Sequence, residues 1–183
     1  MAQAGLSPHL VLIGLPGSGK TTVGRHIAEY FERPFTDFDE VIEHRFRKSV
    51  SRIFTENGEP AFRAAETALS KELATKPGHV LSPGGGWIAN REAMAHLRSR
   101  SRIIYLRVSP AGALQRLGQD IASRPLFDTG DPTETMQMLY DARRRFYEEA
   151  ADLTIDTDLL GRDALLTKVV GLVSSAWDLN SDV

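Results

Sequence analysis

The sequence predicts an α/β protein in which helices cover both faces of a central sheet of five parallel strands. Short apolar runs alternate along the chain with segments of helical periodicity, and this alternation is typical of strand–helix–strand units. The first apolar run leads directly into Gly14-Leu15-Pro16-Gly17-Ser18-Gly19-Lys20-Thr21, which matches a phosphate-binding loop at every fixed position. We therefore expect a three-layer αβα fold of the P-loop type.

The predicted strands are short, and the fourth indicates most clearly that the sheet is parallel. Its residues Ile103 to Leu106 are apolar on both faces, as expected for a strand that helices cover on both sides. Two helix starts are predicted where Ser109-Pro110 and Asp131-Pro132 each place a proline directly after an N-cap residue. The five predicted strands are His9–Ile13, Pro34–Thr36, His79–Leu81, Arg102–Val108 and Leu153–Ile155.

The glycine-rich loop lies between the first predicted strand and a helix predicted from Thr22 to Phe31, which is the order that phosphate binding requires. Its glycines allow backbone N–H groups to point inward at the helix N-terminus. We expect Lys20 to reach the β- and γ-phosphates and the Thr21 hydroxyl to bind Mg²⁺. The loop alone predicts a bound nucleoside triphosphate, and leaves a kinase, a GTPase, an ATPase motor and a nucleotide-gated binding protein open.

Composition excludes several classes of protein. The 183 residues are enough for one domain with its own core, and a net charge of -2 gives no strong attraction for nucleic acid or anionic membranes. The absence of cysteine excludes disulfides, thiolate metal sites and cysteine nucleophiles. No apolar run approaches the roughly 20 residues of a membrane span, and the first residues lack the basic region of a signal peptide. We expect a cytoplasmic protein.

Two carboxylates follow the second predicted strand, in Asp37-Phe38-Asp39. If this segment is extended, alternation places Asp37 and Asp39 on the same side, where they suit Mg²⁺ and a hydroxyl acceptor. The third strand ends at Ser82 without the acidic residue of a usual second nucleotide motif, so Asp37 is the candidate for the magnesium role. The alternative is a helix cap with a solvated neighbour, because Asp39 precedes a predicted helix.

Two further segments have residue types suited to a small anionic ligand. Arg63 and Glu66 are three residues apart on a predicted helix, so they can pair and hold the guanidinium for a planar carboxylate. The alternative is a surface pair that contributes about 0.3 kcal/mol. The three glycines of Gly84–Gly86 cost conformational entropy, which favours a place where a small ligand contacts backbone.

The segment from Gly118 to Pro132 is rich in glycine and proline and has few apolar residues. Loops of this length inside compact domains are often functional lids. We expect a mobile lid here, and the alternative is a mobile surface loop.

Taken in order, these motifs resemble the shikimate kinase family, which belongs to the nucleoside monophosphate kinase-like P-loop group. The resemblance extends from about Leu10 to Asp156 and implies a single domain over residues 1–183, with an acceptor-binding region at about 37–66 and the lid at about 118–132. The matching segments are Gly14–Thr21, Phe35-Thr36-Asp37-Phe38-Asp39 with Ile42-Glu43, Gly58-Glu59 with Phe62-Arg63 and Glu66, Gly84-Gly85-Gly86, Arg124-Pro125, and Arg143 with Tyr147 and Ala151-Asp152.

The resemblance implies ATP-dependent phosphorylation of the shikimate 3-hydroxyl, giving shikimate 3-phosphate and ADP, with Mg²⁺ as cofactor. Asp39 would orient the hydroxyl or act as its base, and Arg124 on the lid would close over the transferring phosphate beside Lys20. Thr21 would bind the metal directly and Asp37 through water. The implied nucleotide-binding residues are Gly17, Ser18, Gly19, Lys20, Thr21, Thr22, Arg116 and Arg124. The implied shikimate-binding residues are Asp39, Arg63, Gly84, Gly85, Gly86 and Arg143, with Phe54 and Phe62 as an apolar wall.

The sequence departs from the family pattern at three places, of which one is a lid segment around Gly118–Arg124 that is about one residue longer than in some relatives. Arg145 occupies a position where the family commonly has proline, and it belongs to a run of three arginines. The register to Tyr147 favours Arg143 as the substrate arginine and leaves the next two to pair with nearby glutamates. Trp87 directly follows the three glycines, where it either packs near the acceptor pocket or covers the core.

Two alternatives are a related small-molecule kinase, such as a gluconate kinase, and a non-catalytic effector-binding module with a kinase-like fold. The combination of Asp39, Arg63, the three glycines and Arg143 argues against the first. The presence of both Lys20 and Asp39 argues against the second. From the resemblance we also expect a monomer whose partners are shikimate and ATP, and from the net charge and the lack of a long apolar run we expect no nucleic acid or membrane partner.

Overall fold

The computed structural model of the chain describes residues 7–123, 127 and 130–176. Five parallel strands form one sheet in the spatial order β2-β3-β1-β4-β5, which confirms the predicted five-stranded parallel sheet. The strands are β1 His9–Ile13, β2 Phe35–Asp37, β3 Val80–Ser82, β4 Ser101–Arg107 and β5 Leu153–Asp156. Predicted and observed bounds differ by no more than one residue, as expected where end residues are decided by pairing with a neighbour.

The helices connect these strands. The eight α-helices among the described residues are α1 Lys20–Tyr30, α2 Phe38–Phe46, α3 Val50–Asn57, α4 Glu59–Leu73, α5 Arg91–Arg98, α6 Pro110–Leu117, α7 Pro132–Ala150 and α8 Arg162–Ala176. Short 3₁₀ helices occupy Trp87–Ala89 and Gly118–Ser123. The predicted helix caps are confirmed, because Ser109 and Asp131 accept backbone N–H groups at the starts of α6 and α7.

Alternate side chains of the buried strands enter two separate cores, which makes the three layers. Val11 and Ile13 of β1 pack with α2 to α7 on one face of the sheet. Leu10 and Leu12 pack with α1 and α8 on the other face. Every residue of β1 is buried, and all of them except His9 are apolar, as expected for a strand that helices cover on both faces.

The segment predicted to be a lid is only partly described. Its first six residues form the 3₁₀ helix Gly118–Ser123, and Phe127 is buried. Arg124 and Pro125 lie outside the described residues, so the predicted role of Arg124 stays a prediction. Among the residues that the structure describes, no helix has both the length and the apolar character needed to cross a bilayer.

Candidate active site

The phosphate-binding loop joins the carboxyl end of β1 to the start of α1. Gly17 has a φ of 78°, and a Cβ atom there would lie 2.4 Å from the carbonyl oxygen of Ala113, so the position requires glycine. The Nζ atom of Lys20 donates to the carbonyls of Gly14 and Leu15, at 3.0 and 2.9 Å. The lysine therefore lies along the inside of the loop, at the end of the sheet where α/β proteins bind ligands.

Asp37 joins this loop to α2. Its Oδ2 atom accepts from the Thr21 hydroxyl at 2.9 Å, and its Oδ1 atom accepts from the backbone N–H of Asp39 at 3.0 Å. Asp37 is thus the N-cap of α2, and the interpretation of Asp39 as the cap is wrong. The expectation of an extended segment through Asp39 is also wrong, because the chain enters the helix at Phe38 as soon as Asp37 caps it.

The oxygens of Thr21 and Asp37 suit a magnesium ion that also binds nucleotide phosphates. Mg²⁺ prefers oxygen ligands and usually takes only one or two from the protein. Over the described ranges of the chain, no group of three or more His, Cys, Asp and Glu side chains could hold a metal by itself. The residues present therefore fit an ion that arrives with a nucleotide better than a resident protein-bound metal.

A cavity of about 530 Å³ opens along this loop. The Arg116 guanidinium borders it and is held in place by two hydrogen bonds to Thr157, one to the side chain and one to the carbonyl. The Ser18 side chain is buried instead of lining the cavity. The lining residues are Pro16, Gly17, Gly19, Lys20, Thr21, Thr22, Val23, Asp39, Gly84, Gly85, Arg116, Leu117, Asp120, Leu160, Arg162, Leu165 and Leu166.

A second cavity, of about 570 Å³, lies beside the first. Four residues, Pro16, Asp39, Gly84 and Gly85, line both cavities, so the two meet at these residues. All six residues predicted to bind the acceptor line the second cavity. Its lining residues are Pro16, Asp39, Glu43, Val50, Phe54, Glu59, Phe62, Arg63, Glu66, Gly84, Gly85, Gly86 and Arg143.

Arg63 is held on α4 by two glutamates. Its Nη1 atom donates to Glu66 at 2.8 Å, while its Nε and Nη2 atoms donate to Glu59 at 3.0 and 2.9 Å. The predicted Arg63–Glu66 pair is confirmed, and the alternative of a surface pair is wrong because the Glu66 side chain is 0% exposed. The pair therefore fixes the direction in which the guanidinium faces the cavity.

Burial changes the protonation chemistry of this pair. Burial raises the pKa of Glu66, although the charge of Arg63 opposes the shift. Burial also acts against the charge of Arg63, but Glu66 and Glu59 together outweigh it and raise the pKa of Arg63. The Oε1 atom of Glu66 is buried, borders the cavity and has no hydrogen-bond partner within the described part of the chain. The atom is suited to accept a hydrogen bond from a hydroxyl in the cavity.

Each of the three glycines in Gly84–Gly86 lies against a different charged side chain. A Cβ atom on the first would lie 3.1 Å from Oδ1 of Asp39, and one on the second would lie 3.1 Å from Nη1 of Arg143. A Cβ atom on the third would lie 2.5 Å from Nη2 of Arg63. Side chains at these positions would displace the charged groups, so the turn has a packing reason for glycine in addition to any ligand contact.

α7 supplies the last part of the acceptor cavity. The Tyr147 hydroxyl donates to the Gly85 carbonyl at 2.8 Å, and its ring stacks on Tyr105 with centroids 5.1 Å apart. Burial raises the pKa of Tyr147 to about 12, so this hydroxyl keeps its proton at neutral pH. One helical turn earlier, Arg143 borders the cavity.

The two arginines that follow Arg143 point elsewhere. Arg144 pairs with Glu148 at 3.2 Å, and Arg145 pairs with Glu149 at 2.6 Å. Both are exposed, which confirms the interpretation of a solvated helix face. Arg143 is therefore the arginine of the run that faces the acceptor cavity.

An apolar wall closes one side of the cavity. The rings of Phe54 and Phe62 lie 5.0 Å apart, and the Arg63 guanidinium lies 5.6 Å from the Phe62 ring. Both phenylalanines line the cavity while also packing against the core. The two phenylalanines therefore form the apolar wall that the resemblance implies and pack against the core at the same time.

Some residues of the site were missed in the sequence. Asn90 caps α5, and its Nδ2 atom donates to the carbonyl of Arg63 and to Oε2 of Glu66, at 3.1 and 3.4 Å. An asparagine before a helix is a cap signal, but nothing local reveals a contact with a residue 24 positions away. Pro16 and Val50 also line the cavity without a signal that separates them from ordinary loop and core residues.

Comparison with known proteins identifies what this arrangement resembles. Residues 16–173 match the family model described as shikimate kinase. A shikimate kinase from Thiobacillus denitrificans is 42% identical over 149 residues, which cover 81% of this chain and 81% of the relative. The solved structure of a shikimate kinase from Acinetobacter baumannii in complex with shikimate has a TM-score of 0.86 and 35% identity, covering 93% of this chain and 94% of the other. A gluconokinase from Sinorhizobium meliloti 1021 shares the fold, with a TM-score of 0.54, at 17% identity over 93% of this chain and 98% of its own.

Proposed function

The chain belongs to the shikimate kinase family, and from this premise we propose how its residues carry out the reaction. The protein is a kinase that phosphorylates shikimate with ATP, giving shikimate 3-phosphate and ADP. One observation carries the residue assignment. The cavity beside the phosphate-binding loop meets the cavity that contains Arg63 and Arg143, and Asp39 lines both.

ATP occupies the cavity along the phosphate-binding loop. The loop N–H groups and Lys20 bind the phosphates, and Arg116, which lines the same cavity, stacks against the base. Two hydrogen bonds to Thr157 support this role for Arg116, since they fix the plane of its guanidinium. Thr22 lines the same cavity and completes the set of phosphate contacts after Thr21.

Mg²⁺ would be held by the Thr21 hydroxyl directly and by Asp37 through water. When bound, the ion neutralises negative charge on the phosphates during transfer. The 2.9 Å hydrogen bond between Thr21 and Asp37 supports this assignment, because it brings the two oxygens to the same side of the loop.

Shikimate occupies the second cavity, with its carboxylate between Arg63 and Arg143 and its hydroxyls toward Asp39 and the glycine turn. Arginine guanidinium groups recognise a planar carboxylate through paired hydrogen bonds, and a carboxylate such as Asp39 accepts hydrogen bonds from hydroxyls. The orphan oxygen of Glu66 offers a further acceptor for a hydroxyl or a bridging water. The apolar wall of Phe54 and Phe62 excludes water from one side of the ring.

The reaction takes place where the cavities meet. The shikimate 3-hydroxyl oxygen attacks the γ-phosphorus, the bond from that phosphorus to the β-bridging oxygen breaks, and ADP leaves. Asp39 orients the hydroxyl and is within the site to accept its proton, and Lys20 stabilises the charge that develops on the phosphoryl oxygens. We assign Arg124 a similar charge-stabilising role from the sequence resemblance alone.

ADP release measured with Mg²⁺-ATP tests this function directly. Shikimate, gluconate and buffer are supplied in turn as acceptor. We expect release that depends on shikimate alone, because the two arginines, Asp39 and the apolar wall suit a carboxylate and hydroxyls on one ring, whereas gluconate is an open chain. Release driven by gluconate would overturn the acceptor assignment and keep the phosphate-binding assignment. Binding of shikimate without any ADP release would contradict the enzyme and favour an effector-binding module.

A further inference from the structure

Trp87 is a feature of this chain that the reaction itself does not use. The residue is 0% exposed and directly follows the three glycines of the turn Gly84–Gly86. Trp87 does not line either of the two cavities. The indole N–H of a buried tryptophan usually has a hydrogen-bond acceptor, so the first question is which group accepts it here.

The first link runs from Trp87 to α4. The indole Nε1 atom donates to the Ser70 hydroxyl at 3.1 Å, and both residues are 0% exposed. Ser70 lies one helical turn after Glu66 and two turns after Arg63, so it is on the side of α4 that carries the acceptor-site residues. The hydrogen bond therefore ties the residue after the glycine turn to the helix that holds the substrate arginine.

The second link runs from Trp87 back to the glycine turn itself. Its backbone N–H donates to the Gly84 carbonyl at 3.0 Å and closes the turn. The glycines of this turn abut Asp39, Arg143 and Arg63 in order. A change in the position of the turn would consequently move the surface against which all three charged groups rest.

The third link runs from Trp87 to α2. The indole meets the Phe38 ring edge-on, with centroids 6.4 Å apart and an interplanar angle of 75°. Phe38 is 0% exposed and lies between Asp37, which caps α2, and Asp39, which borders both cavities. The aromatic contact thus fixes the start of the helix that carries the acceptor carboxylate.

We propose that Trp87, held by Ser70, is a positioning residue that sets the spacing of Asp39, Arg63 and Arg143 and thereby the affinity of the acceptor site. The proposal rests on the function proposed above. The phosphate-binding loop is held through its own contacts after β1, so loosening Trp87 should weaken shikimate binding much more than ATP binding.

Two variants separate the hydrogen bond from the packing of the ring. Ser70→Ala removes the acceptor and leaves the indole N–H buried without its partner, and Trp87→Phe removes the donor and part of the aromatic contact. We expect the KM for shikimate to rise about fivefold in Ser70→Ala and about tenfold in Trp87→Phe. The KM for ATP should stay within about twofold in both. Since the two side chains form one bond, the double variant should resemble Trp87→Phe alone.

Two control variants test whether any loss of packing would give the same result. Ser70→Thr keeps a hydroxyl that can accept from the indole N–H, so its KM for shikimate should stay near the wild-type value. Val169→Ala removes buried volume from α8 in the opposite core, where Val169 is 0% exposed. It should lower the Tm without changing the KM for shikimate. The melting temperature of each variant is measured beside its kinetics.

The outcomes distinguish this inference from the proposed function. Wild-type protein without shikimate-dependent ADP release would overturn the proposed function, and the inference with it. An active wild type whose Ser70→Ala and Trp87→Phe variants melt earlier but keep the KM for shikimate would overturn the inference alone. A parallel rise in the KM for ATP and for shikimate would also overturn it, because general loosening would then explain both.

Discussion

Several polar side chains at the amino end of the sheet are joined to backbone groups, whereas several at the carboxyl end border open cavities. His9 at the start of β1 donates through Nε2 to the Leu73 carbonyl at 3.0 Å and accepts through Nδ1 from the backbone N–H of His79 at 2.9 Å. Arg33 and Arg100 nearby also donate to backbone carbonyls. A buried hydroxyl at this end, that of Ser101, has no partner among the residues the structure describes.

At the carboxyl end, several charged groups are held by one another or lie beside glycines at the border of the cavities, although Lys20 there also donates to backbone carbonyls. Arg63 is held by two glutamates, and Asp39 and Arg143 rest against glycines that leave them room. We therefore expect the polar groups at the amino end to contribute mainly to stability and the cavity-lining groups at the carboxyl end to contribute mainly to activity. Substitutions at the two ends should therefore separate stability from activity.

The largest expected effect is that of Lys20→Met at the carboxyl end. Removing the ammonium group takes away the charge that stabilises the transferring phosphoryl group, so kcat should fall about a thousandfold or more. The Tm should change by less than about 3 °C, because Lys20 borders an open cavity, where water can replace the hydrogen bonds that its Nζ atom donates to the carbonyls of Gly14 and Leu15. Steady-state kinetics with shikimate and thermal denaturation measure the two quantities. Wild-type turnover in this variant would contradict the division between the two ends.

Asp39→Asn should have the next largest effect. The amide can no longer accept the proton of the attacking hydroxyl, so kcat should fall about a hundredfold while the KM for ATP stays near its wild-type value. Asp156→Asn is the matched control, since Asp156 ends β5 at the same edge of the sheet but is exposed and outside both cavities. Equal losses in the two variants would mean that the location at the edge, and not the junction of the cavities, determines the effect.

His9→Gln should change the pH dependence of the free energy of unfolding and leave kcat unchanged. Burial lowers the pKa of His9 from 6.5 to about 4, and Arg33, Arg100 and His79 also oppose its charge. The His9 imidazole therefore binds a proton near pH 6.5 in the unfolded chain, but only near pH 4 in the folded chain. The free energy of unfolding should therefore decrease by on the order of 3 kcal/mol as the pH falls from about 6.5 to about 4. Above pH 6.5, His9 should not make the stability depend on pH.

The His9→Gln protein should lack this part of the pH dependence. Denaturant unfolding between pH 4 and pH 7.5 gives the slopes for both proteins, and kcat at pH 7.5 is the control. Identical slopes would show that the amino-end histidine is not responsible for the acid sensitivity.

Arg143→Ala should have the smallest measurable effect among these, confined to one substrate. Loss of one of two carboxylate contacts should raise the KM for shikimate about tenfold, with a smaller change in the KM for ATP. Arg145→Ala is the matched control two residues away, because its guanidinium pairs with Glu149 and is 86% exposed. That variant should keep both KM values and lose less than about 0.5 kcal/mol of stability. A larger effect from Arg145 than from Arg143 would reverse the assignment within the arginine run.

Local sequence patterns predicted most of the fold. The alternation of apolar runs and helical segments gave five parallel strands, and the Ser109 and Asp131 caps marked two helix starts that the structure confirms. These features depend on residues within a few positions of one another, where periodicity and capping are decided by backbone geometry.

Part of the candidate site was also predictable, because its residues lie in short motifs. The loop Gly14–Thr21 and the Arg63–Glu66 pair each have their partners within eight residues, so spacing alone brings them together. The backbone conformation of the segment from Asp37 to Asp39 was not predictable to the same degree. Alternation assumed an extended chain, and the helix cap at Asp37 changed the direction of the backbone one residue earlier.

The sequence by itself determined which residues carry charge, the positions of the five strands to within one residue, the starts of α6 and α7, and which loop has the phosphate-binding pattern. Only the tertiary structure decided that each glycine of Gly84–Gly86 meets a different charged group, that Trp87 reaches Ser70, and that His9 is joined to Leu73 and His79. The physical reason is that local conformation follows from neighbours along the chain, whereas these contacts join residues from separate elements. Their partners are fixed by how the helices pack on the sheet, which no short pattern records.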